Sequence, residues 1–142
     1  MAVKFYNEEC NFRLTGKRRI SVWVKRCVER EGLTAGSVTY VFCSPQRHLE
    51  INRYYLGHDY NTDVITFDYS DLSEGVVSGD IFIDPQTVAE NAARYGDSKS
   101  REMLRVLIHG ILHLCGYKDK TPAEQKEMRA KEDECLSLYD LK

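Results

Sequence analysis

The chain has 142 residues, of which 42% are hydrophobic and 30% are charged, and its formal net charge is −2 at pH 7. This length is sufficient for one hydrophobic core, so we expect residues 1–142 to form a single domain. The slightly negative charge argues against a uniformly basic protein that coats nucleic acid. No apolar run approaches the ~18 residues of a membrane-spanning helix, which excludes an integral membrane protein of that kind.

Short apolar runs and helical stretches succeed one another along the sequence. In chain order, we predict a strand in "VKFY" (3–6), a helix over 17–31, a strand over 38–43, a helix from 45, strands over 63–69 and 80–84, a helix from 85, a helix over 99–115 and a helix from 122. Four strands and about five helices in this order predict an α+β fold with one small sheet.

Each of the three prolines marks the start of a helix. The segments "SPQ" (44–46), "DPQ" (84–86) and "TPAE" (121–124) place Ser, Asp or Thr at the helix cap and proline at the first helical position. In "TPAE" the glutamate follows the threonine by three residues, which completes a capping box.

The amino terminus and the cysteines both indicate a cytoplasmic protein. The segment "MAVKFYNEEC" lacks the apolar core of a signal peptide. The cysteines are odd in number and form no C-x-x-C pair, which is typical of reduced thiols and not of a secreted disulfide framework or a zinc ribbon. We therefore expect free thiols at five positions: Cys10, Cys27, Cys43, Cys115 and Cys135.

Two histidines four residues apart carry the first chemical signal. His109 and His113 belong to the segment "MLRVLIHGILHLC", whose apolar residues occupy every side of the predicted helix and indicate that it is buried. Side chains at i and i+4 lie one above the other, so both rings can direct a nitrogen at one point. The alternative interpretation is a pair of core histidines satisfied by hydrogen bonds.

The residues around the pair favour a metal site. Gly116 suits the left-handed residue that ends a helix, so the chain can turn back and bring Asp119 to the same point. We expect Gly110 to expose backbone beside His109. The spacing H-x3-H-x5-D, with glycine at the eighth place, resembles the turn of metzincin-type zinc proteases. We therefore predict a metal site formed by His109, His113 and Asp119.

The residue after the first histidine separates two kinds of metal chemistry. Zinc proteases of the HExxH type need a glutamate there as general base. This chain has Gly110 at that position. The sequence therefore disfavours a peptidase, although a carboxylate from elsewhere in the chain could replace the missing base.

Three blocks of this sequence resemble the YbeY endoribonucleases of bacterial ribosomal RNA maturation. The family motif H-G-x-L-H-L-x-G-Y-D-H is similar to "HGILHLCGYKD" (109–119), and its N-x-x-Y-R-x-x-D-x-P-T-D-V-L-S-F block is similar to "NRYYLGHDYNTDVITF" (52–67). The family's glycine-aspartate strand is similar to "GDIFID" (79–84). The blocks fall in the same order, and the resemblance extends over roughly residues 38 to 139.

The resemblance implies a zincin-like fold in which the metal helix packs on a mixed four-stranded sheet. It also implies a cytoplasmic, metal-dependent nuclease that cuts single-stranded RNA, processes the 3′ end of 16S rRNA on the small ribosomal subunit and takes part in ribosome quality control. His109 and His113 would be two ligands of one zinc ion, and Asp119 stands where the family has a third histidine.

The sequence departs from the family pattern near residue 56. Leu56 stands where the family usually has an arginine that is thought to engage the RNA phosphate, and Asn61 replaces its proline. Arg53, one helical turn earlier, or His58 would have to supply the lost cation or hydrogen-bond donor. The alternative for both residues is a surface or packing role.

Basic residues on the metal helix suggest where RNA binds. Lys99, Arg101 and Arg105 precede the histidines and could guide phosphates towards the metal. The favoured hypothesis is an RNA phosphodiester hydrolase. Two others stay open: a metallopeptidase or other zinc hydrolase, and a ribosome-assembly factor in which the metal is structural.

Overall fold

The fold is α+β, as the sequence predicts. The structure is a computed structural model that describes residues 2–57 and 62–140. Within these residues it contains four strands and five helices: β1 (Ala2–Glu8), α1 (Lys17–Arg30), β2 (Thr34–Cys43), α2 (Pro45–Leu56), β3 (Val64–Asp68), β4 (Val76–Ile83), α3 (Pro85–Tyr95), α4 (Lys99–Leu114) and α5 (Pro122–Asp140). Across these two described ranges, no helix is both long enough and apolar enough to span a membrane.

One mixed sheet, as expected, organises the strands. Its order is β1-β2-β4-β3. The first three strands in this order run parallel to one another, and β3 pairs antiparallel with β4 at the edge of the sheet. Parallel neighbours need a crossover connection, which α1 provides between β1 and β2. β3 forms one edge of the sheet and contacts α4.

The three proline-initiated helices begin where the sequence predicts. Ser44 and Asp84 accept hydrogen bonds from backbone N–H groups in the first turns of α2 and α3. The capping box of α5 is also present. Thr121 Oγ1 accepts from the backbone N–H of Glu124 at 3.1 Å, and Glu124 Oε1 accepts from the backbone N–H of Thr121 at 2.9 Å.

Two strands begin earlier than predicted. β2 starts at Thr34 and β4 at Val76, each four residues before the predicted start. The additional segments, "TAGS" and "VVSG", both contain serine and glycine, and glycine interrupts a strand signal. The two segments pair with each other, Thr34 with Val76 and Ala35 with Val77, so strand pairing extends both elements beyond their local preference.

Helices cover both faces of the sheet unequally. The larger hydrophobic core joins one face to α1, α3, α4 and α5 and contains Tyr40 and Phe42 of β2. The smaller cluster lies on the other face, where Ile51 of α2 packs with Cys43 and Ile65. Alternate residues of β2 therefore point to different cores, as the pleat of a strand requires.

Helix α4 is anchored on the sheet over most of its length. The Tyr40 hydroxyl is fully buried and donates to the carbonyl oxygen of Leu107 at 2.8 Å. A Cβ atom at Gly110 would lie 2.9 Å from Ile81 Cγ2, closer than side-chain contacts normally allow. The expectation that Gly110 exposes backbone beside His109 is therefore wrong: this glycine is buried, and it lets α4 approach β4 closely.

The five cysteines are free thiols, as predicted. Cys27, Cys43 and Cys135 are buried, and burial raises the pKa of Cys43 and of Cys115 to about 12. A thiol with such a pKa is protonated at neutral pH, and it is a poor nucleophile and a poor metal ligand. These two cysteines therefore contribute packing.

Candidate metal centre

Three side chains converge at the carboxyl end of α4. Nε2 of His109 and Nε2 of His113 are 3.0 Å apart, and Asp119 Oδ2 lies 3.2 Å from each of them. Among the described residues, these are the side chains whose ligand atoms are grouped closely enough to share one metal ion. The structure therefore brings the three predicted metal residues to one point.

The turn after α4 carries Asp119 back over the histidines. Gly116 has a φ of 108°, a conformation that side chains disfavour. Its N–H donates to the carbonyl oxygen of His113 at 3.0 Å, and the N–H of Tyr117 donates to that of Leu112 at 3.0 Å. These bonds close the end of the helix, and the predicted conformation of Gly116 is confirmed.

The hydrogen bond made by Nδ1 determines the orientation of each histidine ring. His109 Nδ1 lies 2.6 Å from Glu132 Oε2, and His113 Nδ1 lies 3.0 Å from the carbonyl oxygen of Tyr117. An ionised carboxylate and a carbonyl oxygen can only accept hydrogen bonds, so each Nδ1 carries a proton and donates it. In the neutral rings, each Nε2 then presents a lone pair to the same point.

This set of ligand atoms fits a divalent metal ion. Two nitrogen lone pairs and a carboxylate oxygen face one another, an arrangement that is repulsive unless a cation or a proton lies between them. Tetrahedral bonds of about 2.0–2.1 Å would place ligand atoms roughly 3.3 Å apart, close to the separations of 3.0 and 3.2 Å in this structure. The facing Nε2 atoms argue against two histidines that are satisfied within the core.

Glu132 of α5 is a site residue that the sequence analysis missed. Its side chain is 6% exposed and bridges His109 Nδ1 at 2.6 Å and Arg105 Nη1 at 2.8 Å. Burial alone would raise the pKa of Glu132, but the hydrogen bonds from His109 and Arg105 outweigh it and lower that pKa. Glu132 is therefore an ionised acceptor that orients the ring of His109.

The same contact acts in the opposite direction on the imidazole. Burial alone would lower the pKa of His109, but the hydrogen bond and charge of Glu132, with the charge of Asp119, outweigh it and raise that pKa. A sequence signal for Glu132 existed. It lies four residues from buried Met128 and four from buried Leu136, so it falls on the apolar face of α5.

His109, His113 and Asp119 line one cavity, and two of them also line a second cavity that adjoins it. One has a volume of about 300 Å³ and is lined by α2 and β3, including Asn52, Leu56 and Thr66. The other, also about 300 Å³, lies towards α5 and includes Glu102 and Arg129. His109 and Asp119 line both, so the candidate metal point lies where the two cavities meet.

The three predicted RNA-binding cations have different surroundings. The Arg105 guanidinium pairs with Glu132 at 2.8 Å and with Asp133 at 2.9 Å, and it lines the cavity shared with His109 and Asp119. Arg101 pairs with Asp140 at 2.8 Å. Lys99 lines a different cavity. Of the three, Arg105 lines a cavity together with the candidate metal residues His109 and Asp119.

Of the two residues expected to replace the family arginine, the structure describes only Arg53. Leu56 is 43% exposed and forms part of the wall of the cavity that His109, His113 and Asp119 line. Arg53 lines a separate cavity with Tyr54 and Tyr55 on the outer side of α2. His58 and Asn61 lie outside the described residues. The Arg53 and His58 roles therefore stay predictions.

Known proteins resemble this chain over nearly its whole length. Residues 4–140 match the family model described as Endoribonuclease YbeY. The endoribonuclease YbeY of Parabacteroides distasonis is 42% identical over 138 residues, which cover 97% of this chain and 96% of that protein. The endoribonuclease YbeY of Phocaeicola vulgatus is 46% identical over 125 residues, covering 88% and 89%. The solution structure of TM1509 from Thermotoga maritima superposes with a TM-score of 0.69 at 27% identity, covering 97% of this chain and 89% of that one. The chain therefore belongs to the endoribonuclease YbeY family.

Proposed function

We propose that this protein is a zinc-dependent endoribonuclease that cuts single-stranded RNA. The observation that carries the proposal is the convergence of two Nε2 lone pairs and a carboxylate oxygen where two cavities meet. Relatives that are 42% and 46% identical are named endoribonucleases, which supports the class of reaction. In this proposal, residues 1–142 form one catalytic domain.

The cellular role that we propose is cytoplasmic maturation of the 16S rRNA 3′ end and ribosome quality control. The partners would then be ribosomal RNA and the small ribosomal subunit. The motif similarity and the family membership support this role. Lys99, Arg101 and Arg105 are the side chains that we propose guide RNA phosphates, because a chain with a net charge of −2 needs local cations to attract a polyanion.

We propose one zinc ion per chain, held by His109, His113 and Asp119. These residues would supply three nitrogen and oxygen ligands, the number that proteins provide in catalytic zinc sites. A zinc ion held by these residues would supply Lewis-acid polarisation of a phosphodiester and activation of a water molecule.

The protein's own residues hold this arrangement in place. Glu132 keeps the ring of His109 directed at the shared point, and the Tyr117 carbonyl does the same for His113. Leu56 forms an apolar part of the cavity wall in place of a cation. Asp63 is the carboxylate, besides Asp119, that lines both cavities.

The proposed activity is tested with unpaired and duplex RNA of equal length. We expect the purified protein to cut the unpaired strand, to lose this activity in a zinc chelator, and to regain it when zinc is restored. Undiminished cutting in the chelator would contradict a metal-dependent nuclease. Firm zinc binding without cutting would favour the ribosome-assembly factor with a structural metal, and cleavage of peptides alone would favour the metallopeptidase.

Asp119 gives the site a distinctive charge. Two neutral imidazoles and one carboxylate leave a divalent ion with a net charge of +1, whereas three histidines would leave +2. The less positive centre lowers the pKa of its water less. We therefore expect Asp119→His to shift the pH profile of cleavage to lower pH, provided that the new ring reaches the metal.

Asp119→Asn keeps the shape of the side chain and removes its charge. We expect this variant to lose zinc during dialysis against a mild chelator that wild type withstands, with metal content measured before and after. Lys118→Ala, an exposed change in the same turn, serves as the control and should retain zinc like wild type. If Asp119→Asn retains its zinc as firmly, Asp119 is not a ligand.

A further inference from the structure

The two cavities at the candidate metal centre differ in charge. Among the described residues, the cavity bordered by α2 and β3 is lined by no lysine or arginine, and Leu56 gives it an apolar wall. The other cavity, which we call the α5 cavity, is lined by Arg105 and Arg129 together with His109 and Asp119. A phosphate at the metal centre therefore meets positively charged side chains on the side of α5.

Arg105 of the α5 cavity is already paired with two carboxylates. Its Nη1 lies 2.8 Å from Glu132 Oε1, its Nη2 lies 2.9 Å from Asp133 Oδ1, and its side chain is 13% exposed. Its charge can attract a phosphate, but these two nitrogens would have to leave a carboxylate in order to bind one. Separating a buried pair is costly, so Arg105 is a poor direct phosphate ligand.

Arg129 of α5 has its donors available. The residue is exposed, and within residues 2–57 and 62–140 its guanidinium forms no ion pair or hydrogen bond. An arginine carries five N–H donors in a planar fork that matches two oxygens of a phosphate. Arg129 can therefore bind a phosphate without first releasing a carboxylate.

The packing of α4 against α5 places Arg129 on the side of the metal ligands. Three side-chain contacts join the two helices, and their residue numbers fall along α5 as they rise along α4: Arg101 with Asp140, Arg105 with Asp133, and His109 with Glu132. The two helices are therefore antiparallel. Arg129 lies one turn before Glu132 on the same face of α5. In an antiparallel pair, this step leads towards the carboxyl end of α4, where His113 lies.

The acidic residues of the α5 cavity make a free cation important. Asp63, Glu102 and Asp119 line this cavity, and none of them forms an ion pair with Arg129 in the described part of the chain. Burial, with the charge of Asp63, raises the pKa of Glu102, which weakens Glu102 as a competitor for a nearby guanidinium. The remaining carboxylates repel an entering phosphate, and a cation with available donors offsets that repulsion.

We propose that Arg129 binds the phosphate of the RNA at the point that His109, His113 and Asp119 share, and so positions the bond that is cut. The proposal rests on the proposed function, since RNA must be the molecule that enters the cavity. The N–H groups of Arg129 would donate to the non-bridging oxygens of the phosphate. The cation that Leu56 does not supply would then come from α5 and not from α2.

The test compares Arg129→Gln with wild type on a cleavage-resistant analogue of RNA. A short phosphorothioate oligonucleotide is titrated with zinc-loaded protein at several salt concentrations and followed by fluorescence anisotropy. We expect the Kd to rise roughly tenfold, as for the loss of a hydrogen bond between charged groups. The slope of log K against log salt should become less steep by about 0.7, as for one phosphate contact on a single strand. On a labelled unpaired RNA, kcat/KM should fall at least about tenfold.

Two further variants separate a phosphate contact from a general effect of charge. Arg129→Lys keeps the charge and loses the planar fork, so it should restore the salt dependence and only part of the affinity. Arg94→Gln removes an exposed arginine in the last turn of α3, which lines neither cavity, and it should bind and cut like wild type. Arg129→Gln should retain zinc and unfold in urea like wild type, because the residue is exposed.

An unchanged Kd and salt slope in Arg129→Gln would overturn the proposal. Equal weakening by Arg94→Gln would also overturn it, because the loss of any cation would then suffice. Loss of zinc from Arg129→Gln would do the same, because the residue would then act through the metal. The proposed function fails separately. Wild-type protein that binds the oligonucleotide through Arg129 but cuts no RNA refutes the nuclease alone, whereas equally fast cutting by wild type and Arg129→Gln refutes the role of Arg129 alone.

Discussion

The variant His113→Ala should fail to cut unstructured RNA while its fold stays intact. The substitution removes one of the three lone pairs that meet at the metal point. We expect the rate to fall by more than about 100-fold, because even residues that only orient a ligand change metal affinity or activity by about 10–100-fold. The lost hydrogen bond to the Tyr117 carbonyl should cost only about 1 kcal/mol of stability, since the ring is partly exposed.

This result is measured as the cleavage rate of a labelled unpaired RNA, with urea unfolding as the check on stability. Lys118→Ala, prepared by the same purification, shows whether a contaminating nuclease contributes. A folded His113→Ala variant that cuts as fast as wild type would refute the assignment of the site.

The second large effect is expected for Glu132→Ala. The change leaves His109 Nδ1 without its acceptor and removes one of two carboxylates from Arg105, whose side chain is 13% exposed. Breaking a buried ion pair costs roughly 3–5 kcal/mol, and we expect about 3 kcal/mol because Asp133 still pairs with Arg105. Zinc affinity should fall about 10–100-fold, because the ring of His109 is no longer held.

Asp133→Ala is the matched control for Glu132→Ala. Asp133 pairs with the same guanidinium at 2.9 Å, but its side chain is 59% exposed and the structure gives it no contact with His109. Its removal should cost at most about 1 kcal/mol and leave zinc affinity unchanged. Glu132→Gln keeps an oxygen acceptor and should recover part of the metal affinity. Equal zinc affinity in Glu132→Ala and wild type would show that Glu132 stabilises the fold without positioning a ligand.

Local signals were sufficient for most elements of the fold. A serine, aspartate or threonine before proline supplies a side-chain oxygen that accepts from the unpaired backbone N–H groups of the first helical turn. The starts of α2, α3 and α5 therefore follow from three or four consecutive residues. The histidine pair can be predicted from the sequence for the same reason. The i,i+4 spacing on one helix and a glycine turn of a few residues bring His109, His113 and Asp119 together.

Local sequence patterns do not predict contacts between distant segments. Glu132 meets His109 across 23 positions of the sequence, and only the packing of α5 on α4 brings them together. The same packing pairs Arg105, one of the three predicted RNA-binding cations, with Glu132 and Asp133. Gly110 was misinterpreted because its neighbour, Ile81, lies on β4.

The central proposal is that the residues at the end of α4 hold a metal ion that is required for RNA cleavage. The most direct test adds zinc stepwise to metal-stripped protein. Bound zinc and the rate of RNA cleavage are measured on the same samples, with His113→Ala treated in parallel. We expect the rate to rise in proportion to bound zinc and to level off at about one zinc per wild-type chain, while the variant retains neither zinc nor activity. Cleavage at full rate before any zinc is bound, or full zinc binding by His113→Ala, would contradict the proposed metal site.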